Sequence, residues 1–145
     1  LFLGLTFNWG IIMAWVAINN TISIEIITLY LSAIFWTLGY DTIYGAQDMA
    51  DDEIIGLKST SIKFKKNIKI FVSFVYLMTS IILISLFKNE IGLNVFTIFL
   101  MSFILTLLFQ IIKFDKLNAK SCLEAFKLNN VSGLLLFLGI FTIKL

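Results

Sequence analysis

The 145-residue sequence contains no histidine, arginine or proline, and it contains a single cysteine, Cys122. Without histidine the chain lacks the commonest general base and metal ligand, and without arginine it lacks a guanidinium fork for a phosphate. One cysteine excludes an internal disulfide and a zinc site built on cysteines. Because proline is absent, no apolar segment is expected to be kinked by one.

Charged residues are also scarce. They make up 14% of the chain, whereas a typical soluble protein has about 25%. Apolar residues make up 59%, and the mean hydropathy is +0.98. With a net charge of only +2, this composition excludes a disordered chain and a nucleic-acid-binding protein of the basic-patch kind. It predicts an all-α integral membrane protein whose partner is the lipid bilayer and not a nucleic acid.

Five charge-poor runs have about the length of a membrane-crossing helix, which needs roughly 20 apolar residues. Helices are favoured over strands because the apolar residues are continuous and do not alternate with polar ones. A helix also satisfies its own backbone hydrogen bonds in lipid. The predicted spans are residues 2–19, 23–41, 67–87, 91–112 and 129–144. The sequence therefore predicts a helical bundle of about five transmembrane helices.

The charges concentrate in two segments between these spans, at residues 42–66 and 113–128. Two spans separate the segments, so both are expected on one side of the membrane, and their excess of lysine predicts the cytoplasmic side. We interpret the second segment as a short amphipathic helix at the membrane interface. Asn129 and Asn130 are then expected to start the last span, because asparagine is a good N-cap.

The polar segment that follows the second span reads YDTIYGAQDMADDEIIGLKSTS over residues 40–61. On one continuous helix, Asp41, Asp48 and Asp52 would share a narrow stripe. Asp48 and Asp52 are one turn apart, which places their Cβ atoms at about 5–6 Å. Mg²⁺ binds carboxylate oxygens together with oxygens of substrate phosphates, so we expect the three acids to converge as a magnesium and diphosphate site. A row of acids is also typical of a water-exposed helix face, and this alternative stays open.

Two residues after the acids fit the same hypothesis. Gly56 permits a turn of the chain that a Cβ atom would hinder. Lys58 offers a point charge to a phosphate oxygen. Both follow the acids within the same charged segment.

Residues 40–61 resemble the second aspartate-rich motif of the UbiA-type membrane prenyltransferases. The spelling YDTxYxxxDxxDDxxxGxKST is similar to the 4-hydroxybenzoate polyprenyltransferase branch. FNWG and MAW near the start and CLEAFKLNNVSGLLLFLG near the end also resemble this family, and they imply the C-terminal half of a nine-helix fold. The chain begins with Leu1 and lacks the family's first motif, NDxxDxxxD. We therefore expect it to begin partway through a longer protein.

The resemblance implies transfer of a polyprenyl group from polyprenyl diphosphate to the ring of 4-hydroxybenzoate, a step of ubiquinone biosynthesis, with Mg²⁺ as cofactor. Carried over by position, Asp48 and Asp52 bind the metal, Asp41 supports them or the aromatic acceptor, and Lys58 contacts the diphosphate. The implied location is a bacterial inner membrane, with the site facing the cytoplasm. Because the first motif is missing, we expect the chain to be inactive alone and to need the N-terminal half as a partner.

Two alternatives stand beside this hypothesis. The first is a prenyltransferase of the same superfamily with another aromatic or porphyrin acceptor, which substrate trials would distinguish. The second is a non-catalytic membrane remnant or interaction subunit, which the missing first motif favours for this chain taken alone.

Overall fold

The computed structural model describes residues 2–143, which form eight α-helices and no strand. The helices are α1 (Phe2–Phe7), α2 (Trp9–Asn19), α3 (Ile24–Gly45), α4 (Met49–Ile55), α5 (Thr60–Lys63), α6 (Ile68–Leu86), α7 (Val95–Lys113) and α8 (Ala119–Phe141). Five segments are long and apolar enough to cross a membrane, namely α1 with α2, α3, α6, α7 and α8. The predicted all-α bundle with about five such helices is confirmed.

The first, third and fourth predicted spans, 2–19, 67–87 and 91–112, agree with the helices to within a few residues. The second predicted span, 23–41, is too short because α3 continues to Gly45. A helix can continue past its last apolar residue. Water solvates the polar side chains there, while the backbone keeps its helical hydrogen bonds.

The last predicted span, 129–144, is wrong at its start, and residue 144 lies outside the described residues. The structure has one continuous helix, α8, where we expected a separate interfacial helix within residues 113–128. We predicted the separate helix because lysines are unusual within a membrane span. Long charged side chains in the first turns of a membrane helix can extend to water while the backbone remains helical.

Asn129 and Asn130 consequently lie inside α8 and do not start it. The N-cap is Asn118, whose side-chain oxygen accepts a hydrogen bond from the Ser121 amide at 3.2 Å. Asn129 instead accepts a hydrogen bond from the indole nitrogen of Trp36 on α3 at 2.9 Å. The asparagine that resembles a cap in the sequence therefore joins two helices.

Asn8 interrupts the first span between α1 and α2 and attaches it to α3. Its side-chain amide donates hydrogen bonds to the carbonyl oxygens of Gly4 at 2.8 Å and Ala33 at 3.3 Å, and to the Thr37 hydroxyl at 2.7 Å. A polar group among apolar helices is costly unless it is hydrogen-bonded. These bonds therefore favour one position of the first span against α3.

The central helix is α3, which packs against α1, α2, α5, α6 and α8. Its close contact with α6 depends on Gly39, where a Cβ atom would collide with the ring of Tyr76. Tyr76 is almost fully buried. The missing side chain at Gly39 allows the two helices to approach, as small residues commonly do between membrane helices.

A chain of hydrogen bonds joins α6, α7 and α8 in the interior of the bundle. The Tyr76 hydroxyl donates to Oε1 of Gln110 at 2.6 Å, and Nε2 of Gln110 donates to Oγ of Ser132 at 3.0 Å. Oγ of Ser132 also lies 2.7 Å from Oγ1 of Thr106. Gln110 and Ser132 are fully buried, so each of these polar atoms depends on its partner in the network.

Gln110→Leu is expected to lower the free energy of unfolding by about 1–2 kcal/mol, because it leaves the buried Tyr76 hydroxyl without its acceptor. The measurement is the loss of helical circular dichroism during SDS titration in mixed micelles. Ser102→Ala on the same helix is the control, since this hydroxyl donates to the carbonyl oxygen of Ile98 within α7. Equal stability of the Gln110 variant and the wild type would contradict a stabilising role for the network.

Candidate functional site

The segment 40–61 is not a single helix, so the predicted stripe of three acids on one helix is wrong. Asp41 lies near the end of α3, and the chain then turns over residues 46–48. Asp48 is the N-cap residue of α4, and Asp52 lies in the first turn of that helix. The acids are therefore divided between two helices.

Asp48 and Asp52 keep the predicted spacing of one helical turn. The amide of Asp52 donates to the carbonyl oxygen of Asp48 at 2.9 Å. Asp48 is exposed and its carboxylate accepts a hydrogen bond from Nε2 of Gln47 at 3.1 Å, while Asp52 is half-buried. We refer to these two residues as the aspartate pair.

Ion pairs do not neutralise the aspartate pair. Lys65 Nζ lies 2.6 Å from Glu53 Oε2, and Lys113 Nζ lies 3.0 Å from Glu124 Oε2. These are the two ion pairs within residues 2–143. The first connects α4 to the chain that follows α5, and neither ion pair includes Asp48 or Asp52.

No group of three acidic, histidine or cysteine residues in the described part of the chain is placed to hold a metal ion. The expected convergence of Asp41 with the aspartate pair is therefore not found. The oxygen donors of the pair itself fit Mg²⁺. This ion commonly takes one or two protein carboxylates and fills its octahedron with water and substrate phosphates. The two carboxylates of the pair would supply only part of such a ligand set.

Gly56 ends α4 and makes the turn that the sequence predicted. Its φ angle is +79°, a conformation that a side chain disfavours. Its amide donates to the carbonyl oxygen of Glu53 at 3.2 Å, and the amide of Leu57 donates to that of Asp52 at 2.9 Å, which is a Schellman cap. Lys58 follows directly with an exposed side chain.

The hydroxyls after Lys58 attach this segment to the membrane bundle. Oγ of Ser59 accepts from the Ile62 amide at 3.3 Å and caps α5. Ser61 is buried, and its hydroxyl donates to the carbonyl oxygen of Thr42 on α3 at 3.3 Å. A Cβ atom at Gly45 would collide with this hydroxyl. The Lys-Ser-Thr-Ser sequence thus holds α5 against the end of α3, next to Asp41.

An aromatic wall formed by Trp36, Tyr40, Tyr44 and Phe126 borders the end of α3 that carries Asp41. The ring of Phe126 on α8 lies 5.9 Å from that of Tyr40 and 4.9 Å from that of Tyr44. The ring of Trp36 lies 6.0 Å from that of Tyr40. Sequence reasoning did not assign this wall, although the four-residue spacing on α3 was a signal for one helix face.

An apolar pocket of about 240 Å³ lies between α2, α3, α6 and α8 and reaches the aromatic wall at Trp36. Its walls include Ala33, Gly133 and Leu136. A Cβ atom at Gly133 would lie 3.3 Å from the Trp36 ring. Trp36 precedes Asp41 by five residues, which is about 7.5 Å along a helix. Trp36 is therefore the α3 lining residue nearest to Asp41, and the pocket extends from it away from the acidic end of α3.

Comparison with known proteins identifies relatives that match nearly all of the chain. The UbiA prenyltransferase family matches residues 1–131. Rat mitochondrial 4-hydroxybenzoate polyprenyltransferase is 39% identical over 140 residues, covering 95% of this chain and 37% of the relative. The human protein of the same name is 37% identical over 141 residues, covering 95% and 38%. The 4-hydroxybenzoate octaprenyltransferase of Psychromonas ingrahamii is 37% identical over 142 residues, covering 97% and 49%.

The chain spans half or less of the length of these relatives. No solved structure matches it significantly. Members of the matched family generally depend on a divalent metal ion, which agrees with the oxygen donors of the aspartate pair. The family match covers most of the sequence, and five segments are able to cross a membrane. The chain is an integral membrane protein that belongs to the UbiA prenyltransferase family.

Proposed function

We propose that this chain supplies the second aspartate motif of an enzyme that transfers a polyprenyl group from polyprenyl diphosphate to the ring of 4-hydroxybenzoate. The observation that carries the proposal is the aspartate pair, which no lysine neutralises within residues 2–143. The names of the relatives support the choice of substrates. The product would enter ubiquinone biosynthesis.

In this proposal the aspartate pair, Asp48 and Asp52, holds Mg²⁺, and Lys58 contacts the diphosphate. The ion, when bound, would neutralise charge on the diphosphate and so make it a better leaving group. Asp41, at the end of α3 beside the aromatic wall, orients the aromatic acceptor. The carboxylates act by electrostatic stabilisation and positioning, not as nucleophiles.

The proposed reaction breaks the bond between the allylic carbon and the diphosphate oxygen, and both electrons leave with the diphosphate. The ring carbon ortho to the phenol oxygen of 4-hydroxybenzoate forms the new carbon–carbon bond. The ring proton then passes to an aspartate or to the diphosphate. The apolar pocket that extends from Trp36 into the bundle supports binding of the prenyl chain by its apolar lining.

The site is assigned in this proposal to the cytoplasmic face of a bacterial inner membrane. The excess of lysine in the connecting segments supports the cytoplasmic face, and one relative is bacterial, although others are mitochondrial. The chain would form the C-terminal half of a nine-helix fold. The N-terminal half of the enzyme would then be its partner and would bring the first aspartate motif.

The isolated chain, reconstituted in vesicles, is expected to show no prenyl transfer with Mg²⁺, polyprenyl diphosphate and radiolabelled 4-hydroxybenzoate, because the site holds only part of the metal ligands. Coexpression with the N-terminal half of the Psychromonas ingrahamii relative is expected to produce labelled lipid product. The assay is extraction of the radiolabel into organic solvent.

Turnover by the isolated chain would contradict the half-site proposal. A coexpressed pair that inserts and associates but shows no turnover with any aromatic acceptor would favour a non-catalytic membrane protein. We retain this second candidate because the described residues contain no three-ligand metal group. Turnover with another acceptor and not with 4-hydroxybenzoate would indicate a prenyltransferase of the same superfamily that uses that acceptor.

A further inference from the structure

A second pocket lies on the lysine-rich side of the bundle, between the start of α6 and the turn that joins α7 to α8. Its volume is about 240 Å³. It is lined by Lys66, Asn67, Ile68, Lys69, Ile70, Asp115 and Lys116. We call it the lysine pocket. None of its residues belongs to the segment 40–61, so it is separate from the candidate catalytic site.

The lysine pocket carries an excess of positive charge. Lys66 and Lys69 are exposed, and the two ion pairs within residues 2–143 include neither of them. Nζ of Lys69 lies 5.8 Å from the centroid of the Phe114 ring. Nζ of Lys116 donates to the carbonyl oxygen of Lys65 at 2.9 Å, which holds this ammonium group at the pocket without neutralising it.

Asp115 is the single acidic residue among the lining residues, and its hydrogen bonds give it a structural role in the turn. Its Oδ1 atom accepts from the Leu117 amide at 3.0 Å. Its carbonyl oxygen accepts from Oγ of Ser121 at 3.1 Å and from Sγ of Cys122 at 3.2 Å. Three lysines and one carboxylate leave the pocket a formal charge of +2.

Residues at the start of α6 also line this pocket. Asn67 is the N-cap residue but its side chain makes no capping hydrogen bond. The caps of α3, α7 and α8, namely Ser23, Asn94 and Asn118, each accept one, whereas the cap of α2, Asn8, accepts none. The first amides of a helix attract anions when no side chain caps them. Here they accompany three ammonium groups.

The apolar rim of the lysine pocket consists of Ile70, a lining residue, and Leu117, the chain neighbour of the lining residue Lys116. Ile70 is 69% exposed, and Leu117 is 86% exposed. A free inorganic anion makes no favourable contact with these apolar side chains. A lipid can bind the positive charge with its headgroup and the apolar side chains with its acyl chains. Basic pockets at the cytoplasmic ends of membrane helices recognise anionic lipid headgroups.

We propose that the lysine pocket binds the phosphate of an anionic phospholipid headgroup, with the acyl chains alongside Ile70 and Leu117. Lys66, Lys69 and Lys116 supply the positive charge, and the first amides of α6 face the phosphate oxygens. The lipid occupies the leaflet on the lysine-rich side of the membrane. The site requires no prenyl transfer, so its test is independent of the proposed catalytic function.

The test is titration of the detergent-solubilised chain with dioleoylphosphatidylglycerol, followed by native mass spectrometry. The triple variant Lys66→Gln, Lys69→Gln, Lys116→Gln is expected to weaken binding by about tenfold or more, since each lysine near an anionic lipid surface contributes about fivefold. Lys66→Gln alone is expected to weaken it by about three- to fivefold. Circular dichroism checks the fold, and the single variant decides the outcome if the triple variant does not fold.

The matched control removes three other exposed lysines on the same side of the bundle, by Lys63→Gln, Lys120→Gln and Lys127→Gln. It is expected to change the affinity less than twofold. Equal losses in the two triple variants would overturn the proposal, because the attraction would then depend on net charge and not on the pocket. Equal affinity of the wild type for dioleoylphosphatidylcholine would overturn it as well.

Inorganic phosphate separates the two sources of the phosphate group. Millimolar phosphate is expected to leave bound phosphatidylglycerol in place, because it cannot use the apolar rim. If phosphate displaced the lipid, and if Lys66→Gln weakened that displacement, the pocket would be a site for free anions and the lipid proposal would be wrong.

Discussion

Asp48→Ala or Asp52→Ala is expected to reduce prenyl transfer by about 100-fold or more in the coexpressed enzyme, while the protein still inserts in the membrane. Each substitution removes one of two carboxylates that would hold the metal ion, and with it the stabilisation of charge on the departing diphosphate. The measurement is initial turnover, normalised to the amount of inserted protein.

The matched control is Glu53→Gln, which removes the same charge from the next residue of α4. Its partner Lys65 is well exposed, and exposed ion pairs contribute little to stability. The control is therefore expected to keep most of its activity. Near-normal turnover after either aspartate substitution would refute the assignment of the metal ligands.

The dependence on Mg²⁺ distinguishes a metal site from an acidic face that only contacts water. Asp52→Asn is expected to raise the Mg²⁺ concentration needed for half-maximal residual activity, because one oxygen ligand is weakened. Glu53→Gln is expected to leave this concentration unchanged. The same Mg²⁺ requirement in both variants would favour the water-exposed face.

Gly39→Ala is expected to lower the free energy of unfolding by about 1–3 kcal/mol, because the added Cβ atom forces apart the packed helices α3 and α6. Gly10→Ala is the matched control, since a Cβ atom at that position meets nothing within 4 Å. Alanine also favours a helix over glycine by about 1 kcal/mol, so the control is expected to be neutral or more stable. SDS titration of helical circular dichroism measures both variants.

Tyr76, whose ring a Cβ atom at Gly39 would meet, provides a second test of the Gly39→Ala prediction. In a Tyr76→Leu background the flat ring is absent, and the cost of Gly39→Ala is expected to decrease, as residues in direct contact are energetically coupled. An undiminished cost in that background would show that Tyr76 is not the obstacle. Equal stability of Gly39→Ala and Gly10→Ala would contradict the close approach of α3 and α6 itself.

The prediction of five membrane-crossing helices succeeded because it depends on composition over long runs. Lipid requires about 20 apolar residues and internal backbone hydrogen bonds, and these requirements are visible without tertiary contacts. The turn at Gly56 was likewise predicted correctly, because the left-handed backbone conformation there is a local property of glycine.

The division of the acidic segment between two helices was not predicted from the sequence. No proline marks the turn at residues 46–48. α5 is held against the end of α3 by the hydrogen bond from Ser61 to Thr42 and by the space that Gly45 leaves. The hydrogen bond joins residues 19 positions apart, and helical periodicity contains no information about such a contact.

The amino-acid sequence alone determined the membrane class, the number of spans and the residues of the acidic motif, because each follows from composition or local spacing. Only the tertiary structure decided that Asp41 and the aspartate pair lie on different helices and that Phe126 of α8 contacts the aromatic residues of α3. These features depend on contacts between helices that are distant in the chain, and such contacts exist only once the bundle has packed.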